Sequence, residues 1–135
     1  MLDTGICGKL TRTVTDELTA KSMGSGVLDV FATPAMIALI EETAWRSVSN
    51  ELDEGMTTVG TKLDIAHTAA TPAGMTVVCE TKLIGIDRRR LVFEASVYDE
   101  CGEIGRGIHE RFIVDSEKFM SKTNAKRKDN TDENA

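Results

Sequence analysis

Apolar residues recur at helical spacing in only one long stretch of the chain, residues 33–52, TPAMIALIEETAWRSVSNEL. Met36, Ile40, Ala44 and Val48 repeat every fourth residue and Leu39 fills the adjoining row, which predicts an amphipathic helix with one broad apolar stripe. Thr33-Pro34 reads as its start, since Thr caps free N–H groups and Pro suits a first turn that needs no donor. Gly55, beyond an acidic loop, reads as a stop. Before the helix, the run KLTRTVTDELTA (residues 9–20) places Leu10, Val14 and Leu18 on one parity and predicts a strand. KSMGSG (residues 21–26) then predicts a flexible connection, near enough to Thr33 to form a lid over the helix start.

From Met56 the apolar period becomes two. Val59, Leu63 and Ile65 alternate with polar residues, and His67 shares their parity, so its imidazole is expected to point inward. Thr71-Pro72-Ala73-Gly74 is a turn signal. The next strand carries Val77, Cys79 and Leu83 on one face. A charged connection, Asp87-Arg88-Arg89-Arg90, leads to a strand with Leu91, Phe93, Ala95 and Val97 together. The last strand divides into an even face of Ile104, Ile108, Phe112 and Val114 and an odd face of Gly105, Gly107, His109 and Arg111. Two glycines on one face leave room for a close approach by backbone or ligand.

A strand, one long helix and four strands joined by short turns imply antiparallel pairing with the helix on one face. The expected class is therefore α+β: a hotdog fold, with an antiparallel sheet of about five strands wrapped around one long helix. Residues 1–121 are expected to form a single domain, and the polar, apolar-poor residues 122–135 a disordered tail. Open sheet edges favour a homodimer or a higher assembly.

Composition narrows the function. The 135 residues carry 41% apolar and 28% charged side chains, with a net charge of −6 that argues against nucleic acid. No apolar run reaches the ~20 residues of a membrane span, and MLDTGICGKL lacks a signal pattern, so a cytoplasmic location is expected. Cys7, Cys79 and Cys101 are odd in number and widely spaced, which fits reduced thiols. Two histidines and no CxxC pair make a metal site unexpected.

Several residues carry two readings. Thr33 is explained as a helix cap, worth about 1 kcal/mol, and that role is compatible with a catalytic one. Glu41 is either a solvated helix position or, among Ala38, Ile40 and Ala44, a desolvated carboxylate suited to accept a proton near neutral pH. His67 could be a satisfied core histidine. Arg111 could lie on the surface or pair with Glu110. Arg88, Arg89 and Arg90 form a solvated hairpin or a seat for the phosphates of coenzyme A. His109 and the cysteines are assigned no role.

Three segments, VFATPAMIALIEETA, VGTKLDIAHTAATPAGMTV and EIGRGIHERFIVDSEKF, together resemble the fluoroacetyl-CoA thioesterase family of hotdog proteins, from about Val30 to Lys118. The most specific features are Thr followed eight residues later by Glu, the HTAATP-x-G run and the G-x-HER run. The resemblance implies hydrolysis of a small acyl-CoA thioester to acid and coenzyme A. It implies no cofactor beyond the coenzyme A of the substrate, catalytic roles for Thr33, Glu41 and His67, and substrate contacts for Gly60 and Arg111. MGSGVLDVF has Gly24 and Val27 where the family's fluorine-selective member has phenylalanines, a departure that bears on fluorine selectivity and leaves thioester hydrolysis intact. Thr33 and Glu41, eight residues apart, lie roughly 12 Å apart on a straight helix and cannot both reach one small carbonyl unless the helix start is unwound or sites are shared between subunits. The alternatives are a non-catalytic acyl-CoA-binding hotdog protein, acting as sensor or buffer, and a hydratase, whose Asp/His arrangement is not found.

Overall fold

The computed structural model describes residues 1–127. In chain order these form β1 (Cys7–Thr13), a 3-10 turn (Asp16–Leu18), α1 (Ala20–Met23), α2 (Thr33–Val48), a second 3-10 turn (Ser49–Glu51), β2 (Met56–His67), β3 (Thr76–Asp87), β4 (Arg90–Asp99), β5 (Gly102–Asp115) and α3 (Ser116–Asn124). The five strands make one antiparallel sheet in the order β1-β3-β4-β5-β2, with α2 packed on its inner face. This is the expected hotdog arrangement.

The helical stripe forms the core contact. Met36, Ile40, Ala44 and Val48 are completely buried and Leu39 nearly so. They meet the inward rows of β3 and β4, where Val77, Cys79, Leu83, Leu91, Phe93 and Val97 are also sealed from solvent. Burial of side chains of this size contributes about 1.5–3 kcal/mol each. At Gly105 in β5 a Cβ would lie 2.8 Å from Met36 Sδ, so the glycine admits the helix against the sheet.

Several boundaries differ from expectation. β1 ends at Thr13, and the rest of the predicted strand becomes a 3-10 turn and the short helix α1, which Gly24 terminates in the left-handed conformation. Val14 and Leu18 still pack into the core. α2 ends at Val48, and residues 49–51 tighten into a 3-10 turn. Residues 122–127, expected within a disordered tail, continue α3 and a further 3-10 turn. The remainder of that expected tail lies outside the described residues. No helix among the described residues is long and apolar enough to cross a membrane.

The most consequential difference is in β2. Its register against β5 shifts between Gly60 and Lys62, leaving Thr61 as an extra residue. A bulge reverses side-chain parity along a strand. Thr58 and Gly60 therefore share the helix-facing side with Leu63, Ile65 and His67, while Val59, expected with them, pairs with Phe112 on the opposite face. Correspondingly, the helix-facing row of β5 holds Gly105, His109 and Arg111, all buried, whereas Phe112 is 41% exposed.

Candidate active site

The five residues singled out from the sequence fall into two clusters, one at each end of a path along α2. The first lies at the helix start. Ala32, not Thr33, is the N-cap, and it offers no side-chain hydrogen bond. Thr33 is instead the first helical residue, and its hydroxyl sits 2.8 Å from His67 Nδ1. The cap interpretation of Thr33 is thus replaced by a hydroxyl–imidazole pair. His67 reaches it because the bulge at Thr61 turns the end of β2 inward. Phe31 meets the imidazole edge-on, ring centroids 6.3 Å apart at 76°. Burial lowers the His67 pKa from its ordinary value, partly offset by a hydrogen bond with the Ala69 backbone, so the ring is neutral near pH 7.

A cavity of 270 Å³ opens over this pair, between Thr33, His67 and residues 68–70 on one side and Ala20, Ser25, Val30 and Phe31 on the other. The connection before α2 therefore overhangs the helix start, as its position in the sequence implied. It is pinned by backbone bonds from Ala20 to Val30 and from Lys21 to Leu28, with Val27 and Leu28 left exposed.

The second cluster surrounds Glu41. Its neighbour Glu42 is half-buried and paired at 2.7 Å with both Arg12 and Arg46. Glu41 turns the other way, to the sheet, where Arg111 Nη1 lies 3.5 Å from its Oε2. The carboxylate is not desolvated, being 39% exposed, while the Arg111 side chain is only 7% exposed. That arginine is held on three sides. Nε donates to Thr58 Oγ1 at 2.8 Å, Nη2 to the Thr58 carbonyl at 3.0 Å, and Nη1 lies 3.1 Å from His109 Nε2. Neither the surface reading of Arg111 nor a pairing with Glu110 holds, for Glu110 pairs with Arg90. Gly60 forms the floor. A Cβ there would lie 2.5 Å from Glu41 Oε2 and 3.3 Å from Arg111 Nη1, so the missing side chain is what leaves space beside both groups.

Within one chain, then, Thr33 meets His67, and Glu41 meets Gly60 and Arg111, but the two groups do not meet each other. His67 and Gly60 are seven residues apart on β2, on the order of 20 Å. His109, given no role from the sequence, is completely buried in the second cluster. Its helix-facing parity with Arg111 was the one signal that could have found it.

Comparison with known proteins places this arrangement. A family model described as fluoroacetyl-CoA-specific thioesterase, FlK, matches residues 14–117. The chain belongs to the FlK family. Its relatives in that family include the fluoroacetyl-CoA thioesterase of Streptantibioticus cattleyicolor, 40% identical over 98 residues, which cover 73% of this chain and 70% of that one. A solved structure of FlK superposes with a TM-score of 0.89 at 32% identity, over 93% of this chain and 98% of that one. A further FlK structure, of a Phe-to-Ala variant in complex with fluoroacetate and CoA, superposes at 0.83 and 32% identity, over 87% and 99% of the two chains. A Thermus thermophilus thioesterase-superfamily protein, 24% identical with a TM-score of 0.88 over 95% of each chain, shares the fold. Membership in the FlK family fixes the chain as a hotdog acyl-CoA thioesterase in class.

Proposed function

We propose that this chain hydrolyses a small acyl-CoA thioester at sites shared by two subunits of a homodimer. Each site would combine Glu41, Gly60 and Arg111 of one chain with Thr33 and His67 of the partner subunit. The observation that carries this is the division of the site residues into two clusters lying along one unpaired sheet edge. β2 is the last strand of the sheet, and residues 60–64 on it are exposed, Leu63 by 41%. An open edge of this kind is a template for pairing. If two β2 strands pair antiparallel about a two-fold axis at Asp64, the Gly60–Thr61 bulge of one comes opposite His67 of the other. Opposed residues in such a ladder have Cβ atoms about 5 Å apart. The Glu41 pocket of one subunit then adjoins the Thr33–His67 cavity of its partner.

The chemistry follows from what a thioester needs. Attack on the carbonyl carbon moves charge to its oxygen, and fixed donors must await it there. The start of α2 supplies N–H groups and the positive end of the helix dipole, since no side chain caps it. Glu41, oriented by the Arg111 guanidinium and open to solvent, takes the proton of an attacking water. The neutral imidazole of His67 and the Thr33 hydroxyl complete the hydrogen-bond path and carry a proton to the departing thiolate of coenzyme A. No cofactor beyond the substrate's own coenzyme A is required. Gly24 and Val27 stand in the overhanging segment, so Phe31 is the aromatic side chain lining the acyl end, which favours a short acyl group without selection for fluorine.

The test is thiol release from a panel of short acyl-CoAs, fluoroacetyl-CoA included, with Glu41→Gln as control. Turnover that disappears in the variant supports the proposal. Tight acyl-CoA binding without thiol release from the wild type would make the chain a binding protein instead.

A further inference from the structure

His109 takes no part in the chemistry above, yet it is completely buried and touches the residue that aims the carboxylate. We infer that His109 is a positioning residue: a neutral imidazole, protonated on Nδ1, that fixes the Arg111 guanidinium in the orientation it presents to Glu41. The consequence for catalysis rests on the thioesterase proposal, whereas the geometry does not.

The tautomer follows from the partners. Nδ1 lies 2.8 Å from the Lys62 carbonyl oxygen, which can only accept, so Nδ1 carries the proton. Nε2 then holds a lone pair, and Arg111 Nη1, 3.1 Å away, can only donate to it. Lys62 directly follows the extra residue of the β2 bulge, where the ladder is interrupted and a carbonyl is free for a side chain. Phe93 stacks against the ring at 6.3 Å and 30°, so the imidazole is held by packing as well. A chain of contacts thus runs from the bulge carbonyl through His109 and Arg111 to Glu41.

The charged groups that act on the ring are Arg111 and Glu41 beside it and Glu110, which is paired with Arg90. Burial outweighs them and lowers the pKa below its ordinary value, with Arg111 acting in the same direction and the Lys62 carbonyl and the two carboxylates opposing. Were the imidazolium to form, Nε2 would bear a proton aimed at Arg111 Nη1, donor against donor. The guanidinium would have to turn away, and Glu41 would lose its partner.

The first test uses the wild-type chain. His67 and His109 are its two histidines, so ¹H–¹⁵N long-range correlation spectra, assigned with a His67→Gln variant, read each tautomer directly. The expected result is His109 protonated on Nδ1 and bare on Nε2, remaining so below pH ~6.5, where an ordinary histidine charges. An Nε2-protonated ring, or ordinary titration, overturns the inference whether or not the variants below fold. The second test compares two amides. In His109→Gln the side-chain oxygen can replace Nε2 as acceptor for Arg111. In His109→Asn the amide can keep only the bond to Lys62. His109→Asn is expected to lower kcat about tenfold with KM little changed, and His109→Gln to stay within about threefold. In a Glu41→Gln background His109→Asn should add no further loss, because both changes act through one group. Equal losses in the two amides, or full additivity with Glu41→Gln, would reduce His109 to a packing residue and overturn the inference. Hydrogen exchange at the Arg111 side chain probes the same contact without turnover. It should be faster in His109→Asn than in wild type or His109→Gln, and equal rates in all three would overturn the inference. A chain with the expected tautomer and exchange but no thioesterase activity would overturn the functional proposal alone.

Discussion

The two clusters along α2 are built in opposite ways. At the helix start, Thr33 and His67 form a pair with one hydrogen bond between them, under a segment whose Val27 and Leu28 lie in solvent. Eight residues on, Glu41 faces an arginine whose guanidinium is tied to Thr58 twice and to His109 once. A loosely framed pair beneath a short overhang can adapt to what enters. A buried, fully engaged cation cannot, and it gives the carboxylate a fixed direction. Under the proposed function, substrate accommodation would fall to one end and orientation of the attacking water to the other.

The largest test removes the Glu41 carboxylate, the group proposed to activate water. Glu41→Gln keeps the shape and hydrogen-bonding reach of the side chain but cannot take a proton, so kcat is expected to fall on the order of 10²–10⁴-fold. Coenzyme A binding, measured by calorimetry, should persist. A variant with near-normal kcat would leave the second cluster without a catalytic role.

Mixing subunits breaks the comparison differently. If each site draws on both chains, Glu41→Ala and His67→Ala homodimers are inactive. Mixed dimers contain one complete site, and random exchange should then restore about one quarter of wild-type activity. Absence of any recovery, with exchange verified by mass spectrometry, would return both clusters to separate duties within one chain.

Gly60→Ala probes the floor between them. The added carbon would stand 2.5 Å from Glu41 Oε2, so the carboxylate must move. A displacement of that order is expected to lower kcat roughly 10–100-fold. Thermal unfolding should change little, because Gly60 lies on an exposed stretch of β2.

Acidity separates the clusters more gently. Burial lowers the pKa of both histidines. Between their folded values and the unfolded value of about 6.5, the unfolded chain binds more protons than the folded one, so stability is whole above that pH and declines as pH falls. Denaturant midpoints measured downward from pH 7 should drop accordingly, and His109→Gln should flatten part of the slope. A midpoint that rises on acidification would contradict the buried, neutral state of both rings.

Much of this was legible in the residues. The stripe from Met36 to Val48 declared the helix, and the inward rows of β3 and β4 were read correctly because their alternation is unbroken where it packs on α2. The family motifs pointed to Thr33, Glu41, His67, Gly60 and Arg111 as candidates, but not to how they group. β2 misled because a single extra residue, Thr61, reverses parity with no mark in composition. Val59 was therefore drawn into the core, and the pairing of Gly60 with the helix-facing side went unseen. His109 was missed for a related reason. An apolar even face on β5, of which Ile104 does lie in the core, drew attention away from a polar odd face whose His109 and Arg111 are buried. Charge patterns point outward by default, and a self-satisfied Arg–His–Thr network is an exception visible only when partners from distant segments come together.

The smallest expected effect decides what Thr33 is for. In sequence it looks like a cap, and removal of a capping hydroxyl costs about 1 kcal/mol. In the fold Ala32 occupies the cap position and the Thr33 hydroxyl is turned to His67. Thr33 is also exposed, so its truncation opens no cavity. Thr33→Ala should therefore shift unfolding by no more than about 0.5 kcal/mol, the range of an ordinary surface substitution. Turnover in the same variant should nonetheless fall, since the imidazole loses its hydroxyl partner, and Thr33→Ser should recover most of it. A stability loss as large as a missing cap, with kcat unaltered, would make the helix start a structural end and confine the chemistry to the Glu41 pocket.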